Sequence, residues 1–262
     1  MPAFDRKKVQ GVTPPPRILI IAGSDSSGGA GIQADIKTLT MLGGYAMTAI
    51  TAITAQDTTG VHMVEVLSPA LVAAQIDACI GDIGVDAVKI GMLGSAEIAA
   101  SVAERLSVLT VPIVFDPVMV ATSGGVLADA ETTGAFEQLM QLATLTTPNV
   151  HELSALGGPA AMAQRGAAYL AKGGDAEGDT LEDRLVRPGL ADQIWQAPRI
   201  ATRHTHGTGC TLASAIACGL GEGLGLVEAI ERARAFVRAA LLAAPGFGQG
   251  HGPLGHAAVN PD

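Results

Sequence analysis

Short β-branched runs alternate along the chain with longer segments in which apolar residues recur at helical spacing. We expect strands at "RILIIAG", "AMTAITAITAQ", "DAVKIGML", "VPIVFDPV", "LTTPN" and "AAYLAKGG". Helical spacing follows the first of these in "IQADIKTLTMLGG", and again in "SAEIAASVAERLSVL", where Ser95 is placed to cap the helix. This order predicts βαβ units, and therefore an α/β fold whose helices cover a mostly parallel sheet.

The composition indicates a globular chain and narrows the range of partners. Of the 262 residues, 48% are hydrophobic and 16% are charged, which is enough apolar material for a sizeable core. This length suits a single α/β domain, and we favour one domain over two. The net charge is −9, with no basic run beyond Arg6 to Lys8, which argues against nucleic acid and anionic membranes as main partners. We therefore expect a small ligand.

The first residues and the cysteines predict the compartment. Residues 1–16 contain no apolar signal-peptide core, and no run of about 18 apolar residues occurs anywhere, so we interpret residues 1–16 as a flexible extension of a soluble, cytoplasmic protein. Cys210 and Cys218 would lie about 12 Å apart along one helix, too far for a disulfide. The odd number of cysteines also fits a reducing compartment.

The segment "THGTGC", residues 205–210, stands directly before the apolar helical run "TLASAIACGL". Ligands of parallel α/β sheets bind beyond the carboxyl ends of the strands, and a helix start offers free N–H groups and a positive dipole end. Glycines at this position make an anion-binding site, and the expected ligand is a phosphate group. The segment lacks the lysine of a Walker loop. Its chemistry must come from backbone N–H groups and from Cys210, whose pKa we expect to be lowered; an inert buried cysteine is the alternative.

Four more polar residues stand at predicted strand ends. Asp116 and Glu152 supply the hard oxygen ligands that suit Mg²⁺, although either could be a helix cap or a loop charge. Lys172 could steady a phosphate charge or be a solvated surface lysine. Gln56 closes a long apolar strand, and its amide presents an acceptor beside donors, which matches the edge of an aminopyrimidine; an amide satisfied by the backbone is the alternative.

The segment "AGSDSSGGAGIQAD" follows the first strand and opens a helix, so its glycines could let a ligand approach the backbone. Residues 29–34 spell the dinucleotide pattern G-x-G-x-x-A, but five residues separate Gly23 at the strand exit from Gly29. A plain flexible turn is the other interpretation. The histidines show no metal-binding spacing, and we expect His204 and His206 to shape their loop.

Taken together, these motifs resemble the hydroxymethylpyrimidine/phosphomethylpyrimidine kinases of thiamine biosynthesis. The resemblance covers Arg17 to about His256 and rests on the order of "AGSDSSGGAGIQADIKT", "ITAITAQDTTGV", "KIGML", "FDPVM", "TPN" and "THGTGCTLASA". It implies one ribokinase-like, three-layer α/β/α domain over residues 17–262, usually a homodimer. It also implies that ATP and Mg²⁺ are used to phosphorylate 4-amino-5-hydroxymethyl-2-methylpyrimidine twice.

The resemblance also implies roles for individual residues. Five would line the pyrimidine pocket, with the glutamine reading the aminopyrimidine edge: Gly23, Asp35, Gln56, Met92 and Val118. Four would form the anion hole, the cysteine standing where ribokinase relatives have an aspartate base: Gly207, Thr208, Gly209 and Cys210. Lys172 would neutralise the transferring phosphoryl group, and Asp116 with Glu152 would support Mg²⁺.

Two departures from the family pattern leave other functions open. Asp175 follows "KGG" where the family commonly has histidine, and the segment from Asn149 to Lys172 looks too short for a full helix and a strand. The alternatives are pyridoxal kinase activity, which related folds perform, and binding of a nucleotide or vitamin precursor without turnover. Gln56 favours the pyrimidine, because pyridoxal has no amino group next to a ring nitrogen.

Overall fold

A computed structural model describes residues 14–120, 125, 127–174 and 178–259. Most of the expected N-terminal extension and Asp175 therefore lie outside the described residues. The strands are β1 (Arg17–Asp25), β2 (Tyr45–Gln56), β3 (Val61–Val66), β4 (Ala87–Ile90), β5 (Ile113–Phe115), β6 (Leu145–Thr146), β7 (Tyr169–Ala171), β8 (Thr180–Val186) and β9 (Gln193–Pro198). They form one sheet in the order β3-β2-β1-β4-β5-β6-β7-β8-β9.

The centre of the sheet is parallel and its margins are antiparallel. Strand β1 pairs in parallel with β2 and β4, and parallel pairing continues through β5, β6 and β7. Strands β3, β8 and β9 join by antiparallel pairing. The prediction of a mostly parallel sheet is confirmed. The three antiparallel strands were not predicted, because they lie at the margins and lack the buried apolar runs of central strands.

Eight α-helices lie within the described residues, together with a π-helical turn at Cys79–Ile83 and a 3₁₀ turn at His256–Ala258. The helices are α1 (Gly31–Met41), α2 (Pro69–Ala78), α3 (Ala96–Leu106), α4 (Ala130–Leu142), α5 (Val150–Ala155), α6 (Gly158–Arg165), α7 (Thr208–Gly221) and α8 (Leu226–Leu242). Ser95 caps α3 as predicted, accepting a hydrogen bond from the N–H of Ile98. In the described part of the chain, no helix has the length and apolar character needed to cross a bilayer.

The core is divided by the sheet into two layers of packing. Leu19 and Ile21 of β1 point to one face, where they join the apolar residues of α2, α3 and α4. Ile18 and Ile20 point to the opposite face, where they pack with α1, α7 and α8. Alternate residues of a strand face opposite sides, so a strand covered on both faces is apolar throughout. This arrangement confirms the predicted three-layer α/β/α fold.

The segment from residue 149 to residue 172 is long enough for its role. It contains two short helices, α5 of six residues and α6 of eight, followed by the three-residue strand β7. The helices are separated by Gly157, which has a φ of 92°, a conformation that favours glycine. The segment thus contains no full-length helix, as its length suggested, but its three-residue strand still brings Lys172 to the carboxyl-terminal edge of the sheet.

Candidate active site

A cavity of about 690 Å³ lies beyond the carboxyl ends of the parallel strands. This is where α/β sheets bind their ligands, because the loops that leave adjacent strands diverge there. Eleven of the twelve residues singled out in the sequence line this cavity: Gly23, Gln56, Met92, Asp116, Val118, Glu152, Lys172, Gly207, Thr208, Gly209 and Cys210. The twelfth, Asp35, does not.

Helix α7 begins at the cavity without a side-chain cap. Its N-cap is Gly207, whose φ is 87° and which offers no side chain to the first N–H groups. A Cβ at Gly207 would collide with the carbonyl oxygen of Gly29, so this close approach also requires glycine. A Cβ at Gly209 would lie 3.3 Å from the Nζ of Lys172 and 3.4 Å from a carboxylate oxygen of Asp116. The helix start therefore faces a charged cluster across the cavity.

Lys172 is held at the cavity by two carboxylates. Its backbone N–H donates to the carbonyl of Pro148, and its Nζ lies 2.7 Å from Asp116 Oδ1 and 3.9 Å from Glu152 Oε2. Burial alone would lower the pKa of Lys172, but the charges of Asp116 and Glu152 raise it above its usual value. The side chain is 13% exposed, so the interpretation as a solvated surface lysine does not hold.

The two predicted magnesium ligands also have structural partners. Asp116 Oδ1 accepts hydrogen bonds from Thr147 and Lys172, at 2.9 Å and 2.7 Å. Glu152 is the third residue of a capping box at the start of α5, where it accepts from the N–H of Asn149 at 2.8 Å. Glu152 is thus a helix cap that also lines the cavity.

The donor set of the cavity fits magnesium better than a metal enclosed by protein. Among the described residues, no group of three or more histidine, cysteine or acidic side chains is arranged around one point. Mg²⁺ is usually bound through one or two carboxylates, and phosphates and waters complete its octahedron. Asp116 and Glu152 would be the two carboxylates of such a site.

Lys89 is a functional candidate that the sequence analysis missed. It is fully buried in β4, lines the cavity, and places Nζ 2.9 Å and 2.8 Å from the two carboxylate oxygens of Asp35. Ser214 donates a further hydrogen bond to Asp35 at 2.7 Å. The expectation that Asp35 lines the pyrimidine pocket is therefore corrected: Asp35 lies behind Lys89 and neutralises it. A lysine within the apolar strand "AVKI" was the available signal, because lysine is almost never buried without a partner.

Cys210 stands at the start of α7 as a protonated thiol. Burial raises its pKa to about 11; the charge of Lys89 opposes this rise, whereas Asp35 and Asp116 add to it. The expectation of a lowered pKa was wrong, because desolvation outweighs the position at a helix start. All three cysteines are free, as predicted.

The residues expected to surround a pyrimidine lie at the ends of β1, β2, β4 and β5. A Cβ at Gly23 would lie 2.7 Å from the sulfur of Met92, so glycine allows that side chain to lie against the strand exit. The amide of Gln56 lies 3.2 Å from Thr54 Oγ1 and 3.4 Å from His206 Nε2. These groups form a small slot with apolar walls and one amide.

The glycine-rich segment after β1 wraps around a carboxylate. Asp25 accepts hydrogen bonds from the N–H groups of Ser27, Gly29 and Ala30, and lies 2.8 Å from His206 Nε2. Burial would raise the pKa of Asp25, but the hydrogen bonds lower it to about 2. His206 thus shapes its loop as expected, and it joins the loop to the start of α7. The segment is a turn built on Asp25, not a dinucleotide-binding loop.

The far end of the cavity is formed by β8 and β9, which the sequence analysis did not identify, together with α8. Trp195 of β9 donates to Glu231 of α8 at 3.0 Å, and the guanidinium of Arg234 lies 5.6 Å from the centre of the Trp195 ring. Arg234 is held by Asp183 of β8 at 2.7 Å. An aromatic ring beside a fixed cation makes a flat, partly apolar wall.

The fold and this site together define a ribokinase-like α/β protein. The sequence profile of the family described as phosphomethylpyrimidine kinase matches residues 25–255. The chain therefore belongs to the phosphomethylpyrimidine kinase family.

Individual relatives agree with this assignment. The hydroxymethylpyrimidine/phosphomethylpyrimidine kinase of Streptomyces coelicolor is 43% identical over 256 residues, which cover 92% of this chain and 94% of the relative. The protein of the same name from Rhizobium meliloti is 45% identical over 257 residues, covering 91% and 96%. The pyridoxal kinase of Staphylococcus aureus in complex with AMP-PCP and pyridoxal has a TM-score of 0.85 and 33% identity, covering 94% of this chain and 95% of that one.

Proposed function

We propose that this protein uses ATP to phosphorylate 4-amino-5-hydroxymethyl-2-methylpyrimidine to its monophosphate, and then to its diphosphate, for thiamine biosynthesis. The observation that carries the proposal is the convergence, in one cavity, of an amide suited to an aminopyrimidine (Gln56), a buried cation (Lys172) and the uncapped start of α7. Relatives more than 40% identical over nine-tenths of the chain bear the matching name.

Phosphoryl transfer depends mainly on positioning and on neutralising the charge of the migrating group. The N–H groups of Gly209 and Cys210 hold phosphate oxygens at the start of α7, and Lys172, which lies beside Gly209, neutralises the transferring group. Asp116 and Glu152 would hold Mg²⁺, which supplies further neutralisation when bound. In the first reaction Cys210 acts as the base in its thiolate form: its own proton first leaves to solvent, and the thiolate then takes the proton of the hydroxymethyl group.

The pyrimidine occupies one end of the cavity, and ATP occupies the other. Gly23, Met92 and Val118 form the walls of the pyrimidine slot, and Gln56 pairs with the amino group and the adjacent ring nitrogen. ATP occupies the end formed by Trp195 and Arg234. A kinase of this fold from Staphylococcus aureus binds AMP-PCP, which supports a nucleotide site in the same fold.

We further propose a cytoplasmic homodimer. The support for the dimer is an exposed apolar surface on one face of the paired strands β2 and β3, where Ile53 is 51% and Met63 69% exposed. Exposed apolar patches on a sheet margin mark interaction surfaces. Three free cysteines support a reducing compartment. Light scattering of the purified protein tests the dimer, and Met63→Glu should dissociate it.

The decisive assay offers the enzyme Mg-ATP with the pyrimidine alcohol or with pyridoxal, and identifies the products by mass. We expect pyrimidine mono- and diphosphate. Phosphorylation of pyridoxal alone would establish the activity of the Staphylococcus aureus neighbour instead. Binding of the pyrimidine without consumption of ATP would establish a binding protein.

A substitution in the slot tests the role of Gln56. Gln56→Leu leaves the polar edge of the substrate unpaired, which costs about 1–3 kcal/mol and so reduces kcat/KM for the pyrimidine roughly 5- to 150-fold. The KM for ATP should stay unchanged. Gln138→Leu, an exposed position on α4 outside the cavity, is the matched control. Equal losses for pyrimidine and ATP would contradict the assignment.

A further inference from the structure

The side chain of Gln56 lies between two polar groups, and its main chain is fixed. Its N–H donates to Ser26 Oγ and its carbonyl accepts from the same hydroxyl, both at 2.8 Å. The amide oxygen of Gln56 lies 3.2 Å from Thr54 Oγ1, and the amide nitrogen lies 3.4 Å from His206 Nε2. The rearrangement that remains open to the amide is a half-turn, a rotation by about 180° that exchanges its oxygen and its nitrogen.

His206 Nε2 directs its one hydrogen to Asp25, so it cannot accept a hydrogen bond from Gln56 and presents a positively polarised N–H beside the amide. The Nε2 atom lies 2.8 Å from Asp25 Oδ2, with both side chains 3% exposed. Asp25 is ionised at neutral pH, because its hydrogen bonds hold its pKa at about 2 despite burial. A carboxylate accepts and does not donate, so the hydrogen of this pair resides on His206 Nε2. That N–H cannot accept a hydrogen bond from an amide NH₂ group.

Thr54 can only accept from Gln56. Its hydroxyl has one hydrogen, and the carbonyl oxygen of Ser24 lies 3.0 Å away, closer than the Gln56 amide. A carbonyl oxygen can only accept, so the hydrogen is directed to Ser24. The lone pairs of Thr54 Oγ1 then face the amide. The NH₂ group of the amide is therefore favoured at Thr54, and the amide oxygen is favoured at His206.

We propose that the Gln56 amide takes the half-turned orientation, in which its oxygen faces His206, positioned by Asp25, and its NH₂ group faces Thr54, and that this orientation selects a 4-aminopyrimidine over a 4-oxopyrimidine. In this orientation one oxygen lone pair and one N–H remain for the substrate. They match a 4-amino donor beside a ring-nitrogen acceptor. A 4-oxopyrimidine presents a carbonyl acceptor beside a ring N–H, and binding it would require the half-turn that breaks both contacts. His206 is a positioning residue, and this inference rests on the proposed function.

The specificity test compares the 4-amino substrate with 5-hydroxymethyl-2-methylpyrimidin-4-one. His206→Asn removes the donor at the Nε2 position, whereas His206→Gln retains an N–H there. We expect the ratio of kcat/KM for the amino over the oxo substrate to fall about tenfold in His206→Asn, the worth of one hydrogen bond, and to be restored in His206→Gln. The KM for ATP should be unchanged. His204→Gln, the same substitution two residues earlier, is the control. An unchanged ratio in His206→Asn would overturn the proposal.

A second measurement on the wild-type protein does not depend on activity or on the folding of a variant. In ¹⁵N-labelled protein, the side-chain NH₂ protons of Gln56 should show a nuclear Overhauser effect to the methyl group of Thr54. An effect to the ring protons of His206 instead would refute the orientation. Absence of pyrimidine phosphorylation by the wild type would overturn the proposed function, and the NMR result would still decide how the amide is held.

Discussion

The protonation state of Cys210 leads us to expect different pH profiles for the two phosphoryl transfers. A pKa of about 11 leaves the thiol protonated at pH 7, where ionising it costs about 4 pH units, or roughly 5 kcal/mol. The first acceptor is an alcohol, whose proton must be taken up by a base. The second acceptor is a phosphate that has no hydroxymethyl proton to lose.

These properties predict that log kcat rises with pH for the first reaction and does not depend on pH for the second. Between pH 7 and pH 9 the fraction of thiolate rises about tenfold per unit, because this range lies well below the pKa, so kcat for the alcohol should rise with nearly the same slope. The second pKa of a phosphate monoester is about 6, so kcat for the monophosphate should stay nearly flat. A neutral thiol also avoids repelling the monophosphate; a fixed carboxylate about 4 Å away would cost roughly 4 kcal/mol.

The assay is the steady-state rate at saturating Mg-ATP, measured separately on the alcohol and on the monophosphate. Cys210→Ala should slow the alcohol reaction and abolish its slope while affecting the monophosphate less. Cys210→Asp should retain the alcohol reaction without the slope and lose diphosphate formation disproportionately. Cys79→Ala is the control, because Cys79 lies outside the cavity. Equal slopes for both reactions, or a slope that persists in Cys210→Ala, would refute the role of the thiol as a base.

Three further substitutions test the site and its support. Lys172→Ala should lower kcat with little change in the KM for the pyrimidine, because its charge acts on the migrating phosphoryl group; an unchanged kcat would contradict this. Gly207→Ala should destabilise the protein in urea unfolding by more than Gly223→Ala, because both have positive φ, costing about 1–2 kcal/mol, but only Gly207 also meets a backbone carbonyl. Lys89→Met should cost about 3–5 kcal/mol by leaving the charge of Asp35 buried without a cation, and adding Asp35→Asn should recover part of it; additive losses would exclude the coupling.

The sequence by itself determined the fold class and eleven of the residues that line the cavity. Strand and helix patterns are local, and a parallel sheet places all of its carboxyl ends on one edge. Residues that follow different strands, such as Gln56, Asp116 and Lys172, could therefore be assigned to one site. The glycines of "THGTGC" likewise indicated a helix start without a side-chain cap, because that feature depends on neighbouring residues alone.

Only the tertiary structure decided how these residues are charged and held. Lys89 and Asp35 are separated by 54 residues, and His206 and Asp25 by 181, so no local pattern joins them. The pKa of a group depends on its burial and on charges that distant elements bring near it. For that reason the sequence suggested a reactive thiolate at Cys210, whereas burial beside the Lys89–Asp35 pair makes it a neutral thiol. Asp35 lies behind the predicted pocket wall for the same reason. A buried lysine needs a carboxylate, and only the packing of α1 on the sheet next to β4 supplies one.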